Sequence, residues 1–234
     1  MIISGLQKMT LLDYPGKVAC TVFLQGCNFR CPFCHNSDLL CGQAAHPIAK
    51  EELLSFLRKR RGLLDAVCVS GGEPTLHDDL PQLLFEIRSL GYSVKLDTNG
   101  SRPDLLAQLI RERLVDYVAM DVKNAPDRYG ETCGIADMDL APIKESLCML
   151  IDGDTPYELR TTVCSPLHDK ASIRRMGEWL SSLAGGRIIP ALYVQPFADR
   201  DSVLARDLAT PNETDLHDFV TILRPFVQHV ALRG

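Results

Sequence analysis

Cys27, Cys31 and Cys34 stand within eight consecutive residues, Cys27-Asn28-Phe29-Arg30-Cys31-Pro32-Phe33-Cys34. Three thiolates on so short a loop can bind three irons of a [4Fe–4S] cluster, leaving the fourth iron without a protein ligand. An open coordination position is a place for chemistry, whereas a closed site is usually structural. The same loop allows a second reading, a Cys3His zinc site made of Cys27, Cys31, Cys34 and His35. Against zinc, Cys34 and His35 are neighbours that would both have to turn toward one metal. Zinc ligands also usually come as two separated pairs, and no second C-x2-C follows.

Other chemistry-bearing residues fall at the ends of short apolar runs. Val18–Leu24 leads into the cysteine loop, and Ala66–Val69 ends at Ser70-Gly71-Gly72-Glu73-Pro74. Tyr92–Leu96 ends at Asp97-Thr98-Asn99-Gly100, and Val115–Met120 runs into Asp121-Val122-Lys123. Tyr157–Cys164 carries Arg160, and Ile188–Val194 ends at Gln195-Pro196-Phe197. Each has a plain reading when taken alone. Gly-Gly after a strand is a turn, Asn-Gly is a turn, and a lone charge in a strand sits at a solvated rim. Six segments that aim polar groups from the same end of their strands make a different pattern, because parallel α/β barrels build active sites at that face.

The elements between these segments read as helices. One begins near Pro47, with Glu51 and Glu52 early and Arg58-Lys59-Arg60-Arg61 late, as the helix dipole prefers. Others carry Leu80, Leu83, Leu84, Ile87 and Leu90; Leu105, Leu106, Leu109 and Ile110; Ile143, Leu147 and Leu150; and Ile173, Met176, Leu180 and Leu183. A last amphipathic helix precedes a short strand near Val227–Leu232, and a polar, glycine-containing loop is expected before Ile143. Strands alternating with helices imply parallel βαβ units. The expected fold is therefore α/β, an incomplete (β/α)6 TIM-like barrel, with a flat doubly wound sheet as the alternative. No repeat, low-complexity tract or linker breaks the chain, so a single domain over 1–234 is expected.

Composition narrows the class. The 234 residues are 46% hydrophobic with a net charge of −5, ample for a core and without the basic field that nucleic acid requires. No apolar run reaches the roughly 18 residues of a membrane span, and no signal-peptide pattern opens the chain, so the reading is cytoplasmic. Nine cysteines, an odd number, argue against a disulfide framework. Cys20, Cys68, Cys148 and Cys164 read as buried thiols. Cys41 and Cys133 fall on expected loops and are candidates for accessory ligands. His46, His77, His168, His217 and His229 read as surface or capping residues.

The cysteine spacing and strand-end segments together resemble the radical S-adenosylmethionine (SAM) enzymes. The resemblance implies that Cys27, Cys31 and Cys34 bind the cluster while SAM chelates the open iron. It places Phe33 near adenine and Gly71-Gly72-Glu73-Pro74 at the methionine amino group, where glycine suits close approach. Asp97-Thr98-Asn99-Gly100 and Met120-Asp121-Val122-Lys123 resemble the glycyl-radical-enzyme activases. That likeness implies a monovalent cation, sodium or potassium, beside SAM among Asp97, Thr98, the Met120 carbonyl and Asp121, which makes Asp97 part of the SAM site. It also implies that Lys123 and Arg160 face the methionine carboxylate. Hard oxygens suit such a cation and positive side chains suit a carboxylate.

Leu11-Leu12-Asp13-Tyr14-Pro15-Gly16-Lys17, Phe23-Leu24-Gln25-Gly26-Cys27-Asn28 and Cys34-His35-Asn36 look like the activating proteins of anaerobic ribonucleoside-triphosphate reductase. No cysteine-rich ferredoxin insert follows the first motif, so one cluster is expected. The implied reaction is reductive cleavage of SAM to methionine and a 5′-deoxyadenosyl radical, which takes a hydrogen from a glycine of a partner enzyme. Flavodoxin or ferredoxin is the implied electron donor. The alternatives are an activase of another glycyl radical enzyme, of pyruvate formate-lyase type, or a radical SAM enzyme acting on a small molecule. A zinc-binding interaction module is the reading from outside enzymology.

Overall fold

A computed structural model describes residues 1–41, 46–199 and 203–233; the Cys41 side chain, one expected accessory thiol, lies outside the described residues. The strands are β1 (Ile3–Thr10), β2 (Ala19–Leu24), β3 (Ala66–Gly71), β4 (Ser93–Thr98), β5 (Tyr117–Asp121), β6 (Tyr157–Val163), β7 (Ile189–Pro196) and β8 (Val227–Leu232). Their order in the sheet follows the chain. The helices are α1 (Asp38–Cys41), α2 (Lys50–Lys59), α3 (Leu80–Ser89), α4 (Pro103–Arg111), α5 (Tyr129–Cys133), α6 (Ala141–Asp152), α7 (Lys170–Ala184) and α8 (Glu213–Leu223). The chain groups into two compact units, residues 1–28 with 38–119 and residues 29–37 with 120–234.

In the first unit β1 runs antiparallel to β2, while β2, β3 and β4 are parallel. β2 and β3 read as nearly continuous apolar runs, the pattern of strands covered on both faces. Thr21, Cys68 and Lys95 are register partners across β2, β3 and β4, so they share one face, and all three are buried. α2 buries Leu53, Leu54 and Leu57 and carries its acids early and its bases late, as its sequence predicts. α3 buries Leu80, Leu83, Leu84 and Ile87, each contributing about 1.5–3 kcal/mol. Pro81 and Pro103 sit in the first turns of α3 and α4, where a missing amide proton costs nothing. β1 was not expected. Its sequence neither alternates nor runs apolar, and only Ile3 and Thr10 are buried, so no periodicity announces it.

In the second unit β6, β7 and β8 are parallel. α7 opens on a capping box, with the Asp169 carboxylate accepting the Ser172 amide, and closes on Gly185 in the left-handed region. The buried Glu158 carboxylate of β6 accepts from Arg233 at 2.6 and 3.1 Å, and that guanidinium lies 3.4 Å from the Tyr193 ring centre. The segment expected as a polar loop contains α5, which buries Tyr129, Thr132 and Cys133. Cys133 is therefore an interior thiol at a helix end rather than a loop thiol. Tyr129 packs edge-on against Trp179 at 6.0 Å, and this tertiary contact supports a helix too short to stand alone. Cys20, Cys68 and Cys164 are buried as expected, whereas Cys148 on α6 is only half-buried. No helix among the described residues is long and apolar enough to cross a membrane.

Candidate active site

In the first unit the end of β3 closes onto the entry to the cysteine loop. The Gly72 amide donates to the Leu24 carbonyl at 2.9 Å, and the Glu73 amide donates to the Gly26 carbonyl at 2.7 Å. A Cβ on Gly71 would stand 2.2 Å from the Leu24 carbonyl oxygen. One on Gly72 would stand 2.0 Å from that of Gly26 and 3.2 Å from the Cys27 Cβ. The close approach that requires glycine here is made by the chain's own backbone, and Gly71, at φ 131°, also needs the conformational freedom.

Glu73 is 1% exposed. One carboxylate oxygen accepts the Thr75 amide at 3.0 Å, the Thr75 hydroxyl at 2.5 Å and the Thr98 hydroxyl at 2.7 Å. The other accepts the Asn99 amide at 2.6 Å. Burial pushes this carboxyl up, and the four hydrogen bonds oppose it. Glu73 thus ties the end of β3 to the end of β4. Asn99 extends the tie, donating to Asn28 Oδ1 at 2.9 Å and lying 4.0 Å from Cys27 Sγ. Two residues before this turn, the Lys95 ammonium lies 2.5 Å from Asp97.

In the second unit Cys31 and Cys34 share a turn, the Cys34 amide donating to the Cys31 carbonyl at 3.0 Å. Phe33 is buried between them in sequence. The end of α5 grips this loop. The Arg30 amide donates to the Cys133 carbonyl at 2.8 Å, and a Cβ on the left-handed Gly134 would stand 2.3 Å from the Arg30 carbonyl oxygen. The Cys31 thiol is pulled down to about 7, first by its hydrogen bond with Cys133 and also by Lys123, against the opposing effect of burial. Thiolate is the form that binds iron. Cys34 moves the other way, pushed up by burial.

Lys123 lies 2.9 Å from Asp121, and Arg160 Nε lies 3.2 Å from the other oxygen of that carboxylate. Burial alone would pull the Lys123 ammonium down, but Asp121 and the neighbouring thiols outweigh it and hold the group well above its ordinary range. Arg160, whose plain reading was a rim charge, has a side chain only 15% exposed. Met120 is fully buried.

The surface reading of His168 is overturned, because the ring is 4% exposed. Its Nε2 lies 2.8 Å from the Lys123 carbonyl and its Nδ1 3.2 Å from the Cys164 amide. A carbonyl only accepts, so Nε2 carries the proton, and Nδ1 is left to accept from the Cys164 amide in the neutral ring. Burial holds the imidazole below its ordinary 6.5. The Phe33 ring stands edge-on to it at 6.2 Å. His77 also has a specific partner, the Gln25 carbonyl at 2.8 Å, while His46, His217 and His229 are exposed as expected. The interior place of His168 and the bond from the Asn99 side chain were missed, because the Lys123 carbonyl and Asn28 lie 45 and 71 residues away along the chain.

His35, the fourth ligand of the zinc reading, stacks on Phe197 at 5.6 Å, with Nε2 3.4 Å from the Ala198 amide. Among the described residues no three His, Cys, Asp or Glu side chains converge as ligands of one ion would. A cluster does not ask them to, since each thiolate binds its own iron.

A model of the Radical SAM superfamily matches residues 21–169, a span that holds the cysteine loop, Gly71-Gly72-Glu73, Asp97, Lys123, Arg160 and His168. A Methanocaldococcus jannaschii protein provisionally named glycyl-radical enzyme activating enzyme MJ1227 is 30% identical over 243 residues, covering 99% of this chain and 95% of its own. The chain belongs to the radical SAM glycyl-radical-enzyme activating enzymes. This activating enzyme is also 32% identical over 133 residues, 53% of each chain, to the pyruvate formate-lyase-activating enzyme of Clostridium pasteurianum. Streptococcus suis SuiB bound to its precursor peptide shares the fold, with a TM-score of 0.71 over 92% of this chain and 48% of SuiB at 12% identity. The expected radical SAM α/β fold is thereby shown.

The family implies a [4Fe–4S] cluster and SAM. The donor set fits both. Cys31 is eased toward thiolate, Cys27 lies beside an amide donor, and a lysine and an arginine flank one carboxylate where a ligand carboxylate could be held.

Proposed function

We propose that this enzyme uses Cys27, Cys31 and Cys34 to hold the cluster and generates a glycyl radical on a partner enzyme. The observation that carries the reading is the backbone docking of Gly71-Gly72-Glu73 against Leu24, Gly26 and Cys27, which fixes a second motif on the cysteine loop. When bound, the cluster and SAM supply a one-electron reductive cleavage, the source of the radical that takes hydrogen from glycine. The protein's part is to orient and to exclude. Lys123 and Arg160 receive the methionine carboxylate as charge-assisted donors, drawing on the pairs they now make with Asp121. Phe33, steadied by His168, offers its ring to adenine. Gly71 and Gly72 shape the bed of the methionine amino group, and Glu73 holds that bed in place through Thr98 and Asn99.

For the partner, the relatives support a glycyl radical enzyme of pyruvate formate-lyase type better than anaerobic ribonucleoside-triphosphate reductase. The reductase reading rests on the Leu11–Lys17, Phe23–Asn28 and Cys34–Asn36 segments alone. A reduced flavodoxin or ferredoxin would deliver the electron. The test is anaerobic reconstitution with iron and sulfide, then SAM and dithionite, with wild type beside Cys31→Ala. We expect 5′-deoxyadenosine from wild type only. Adding each partner in turn and recording electron paramagnetic resonance should give a glycyl doublet with one of them. SAM cleavage without a doublet on either would remove the activase reading, and zinc in place of iron would remove the enzyme reading.

A further inference from the structure

The oxygen set expected to hold a sodium or potassium ion does not fit one. β4 brings Lys95 and Asp97 to the same face, two residues apart, and buries the lysine to 1% exposure. Its ammonium lies 2.5 Å from Asp97, whose side chain is 14% exposed. Thr98 is also engaged: its hydroxyl donates to Glu73 at 2.7 Å and accepts the Gly100 amide at 3.1 Å. In the second unit Asp121 is faced by Lys123 and Arg160. Asp97 therefore already faces a positive side chain, and so does Asp121 until SAM draws Lys123 and Arg160 to its own carboxylate.

Lys95, at 1% exposure, is more deeply buried than Lys123 at 13% or Arg160 at 15%. Its register partners on β2 and β3 are Thr21, whose hydroxyl donates to Asp13, and the Cys68 thiol. A buried ammonium left without a carboxylate is strongly unfavourable, so the fold itself demands the pair with Asp97. A second cation at the same carboxylate would meet like charge in a poorly screened interior.

We propose that Lys95 is a built-in monovalent cation: its ammonium supplies the charge that Asp97 would otherwise take from sodium or potassium, and the enzyme binds SAM without either ion. Lys95 is thus a positioning residue, acting through Asp97. The proposal rests on the reading of Asp97 as part of the SAM site.

The experiment measures SAM affinity of the reconstituted enzyme and thermal unfolding of the iron-free protein in sodium, potassium and tetramethylammonium chlorides at equal ionic strength. An ion coupled to SAM binding would change affinity by about 5- to 150-fold. Wild type is expected to change by less than about fivefold between salts, with one melting temperature in all three. Lys95→Met should acquire a requirement for sodium or potassium in both readouts, and Lys95→Arg should not. Wild-type affinity that falls about fivefold or more in tetramethylammonium overturns the proposal. So does a wild-type melting temperature that depends on the small cation. If Lys95→Met does not fold, the wild-type arms still decide. Absence of SAM binding in every salt would instead remove the SAM-site reading, and the melting arm would still answer for the ion.

Discussion

Glu73 in the first unit and His168 in the second each serve to hold other residues in place. Glu73 receives four donors from Thr75, Thr98 and Asn99. Replacing it with Gln points an amide at donors and leaves at least one unsatisfied. Glu73→Gln should cost about 1–3 kcal/mol in urea unfolding, with weakened SAM binding. His168 makes a prediction about pH. The folded protein keeps this ring neutral below its ordinary 6.5, so the unfolded chain binds the extra proton as pH falls. Its contribution to stability is complete above 6.5 and drains away as pH drops through the lower folded value. The slope should be at most about 1.4 kcal/mol per pH unit from this group. Unfolding curves of His168→Gln, taken above and below 6.5, should lose that slope; an unchanged slope would assign the acid sensitivity elsewhere.

At the scale of elements, the cysteine loop is held where other elements end. The β3 end docks on its entry through Gly71 and Gly72, and the α5 end clamps Arg30 through Cys133 and Gly134. Gly72→Ala would drive a methyl group into the Gly26 carbonyl, a backbone group that cannot swing aside as a side chain could. It should cost several kcal/mol, on the order of the large core effects, and lower the iron bound per chain after reconstitution. Full iron content in that variant would show that the docking is dispensable. Elsewhere the effects should be ordinary. Asp169→Ala removes the α7 capping box and should cost about 1 kcal/mol in thermal unfolding, with SAM cleavage retained.

At the scale of the whole molecule, the core does not depend on the cluster. Apolar side chains are buried along β2, β3, α3, α6 and α7, on elements outside the cysteine loop. Removing iron with a chelator should leave the far-ultraviolet circular dichroism unchanged and the unfolding cooperative. A small zinc module would instead unfold on losing its metal. Loss of secondary structure on chelation would bring the metal into the folding account and contradict this reading.

The sequence by itself determined the alternation of strands and helices, the ends of the strands where chemistry collects, and the cysteine loop. These are local signals: periodicity, turn residues and spacing within eight positions. It could not show β1, because an edge strand with two buried residues has no period to read. It could not show that Glu73 spends its carboxylate on Thr98 and Asn99, that His168 is interior, or that Cys133 touches the loop at Cys31. Nor did it show that Lys95 occupies Asp97. Each of those depends on partners brought together by packing from distant parts of the chain, and a hydrogen bond or buried charge is decided by its surroundings rather than by its residue type.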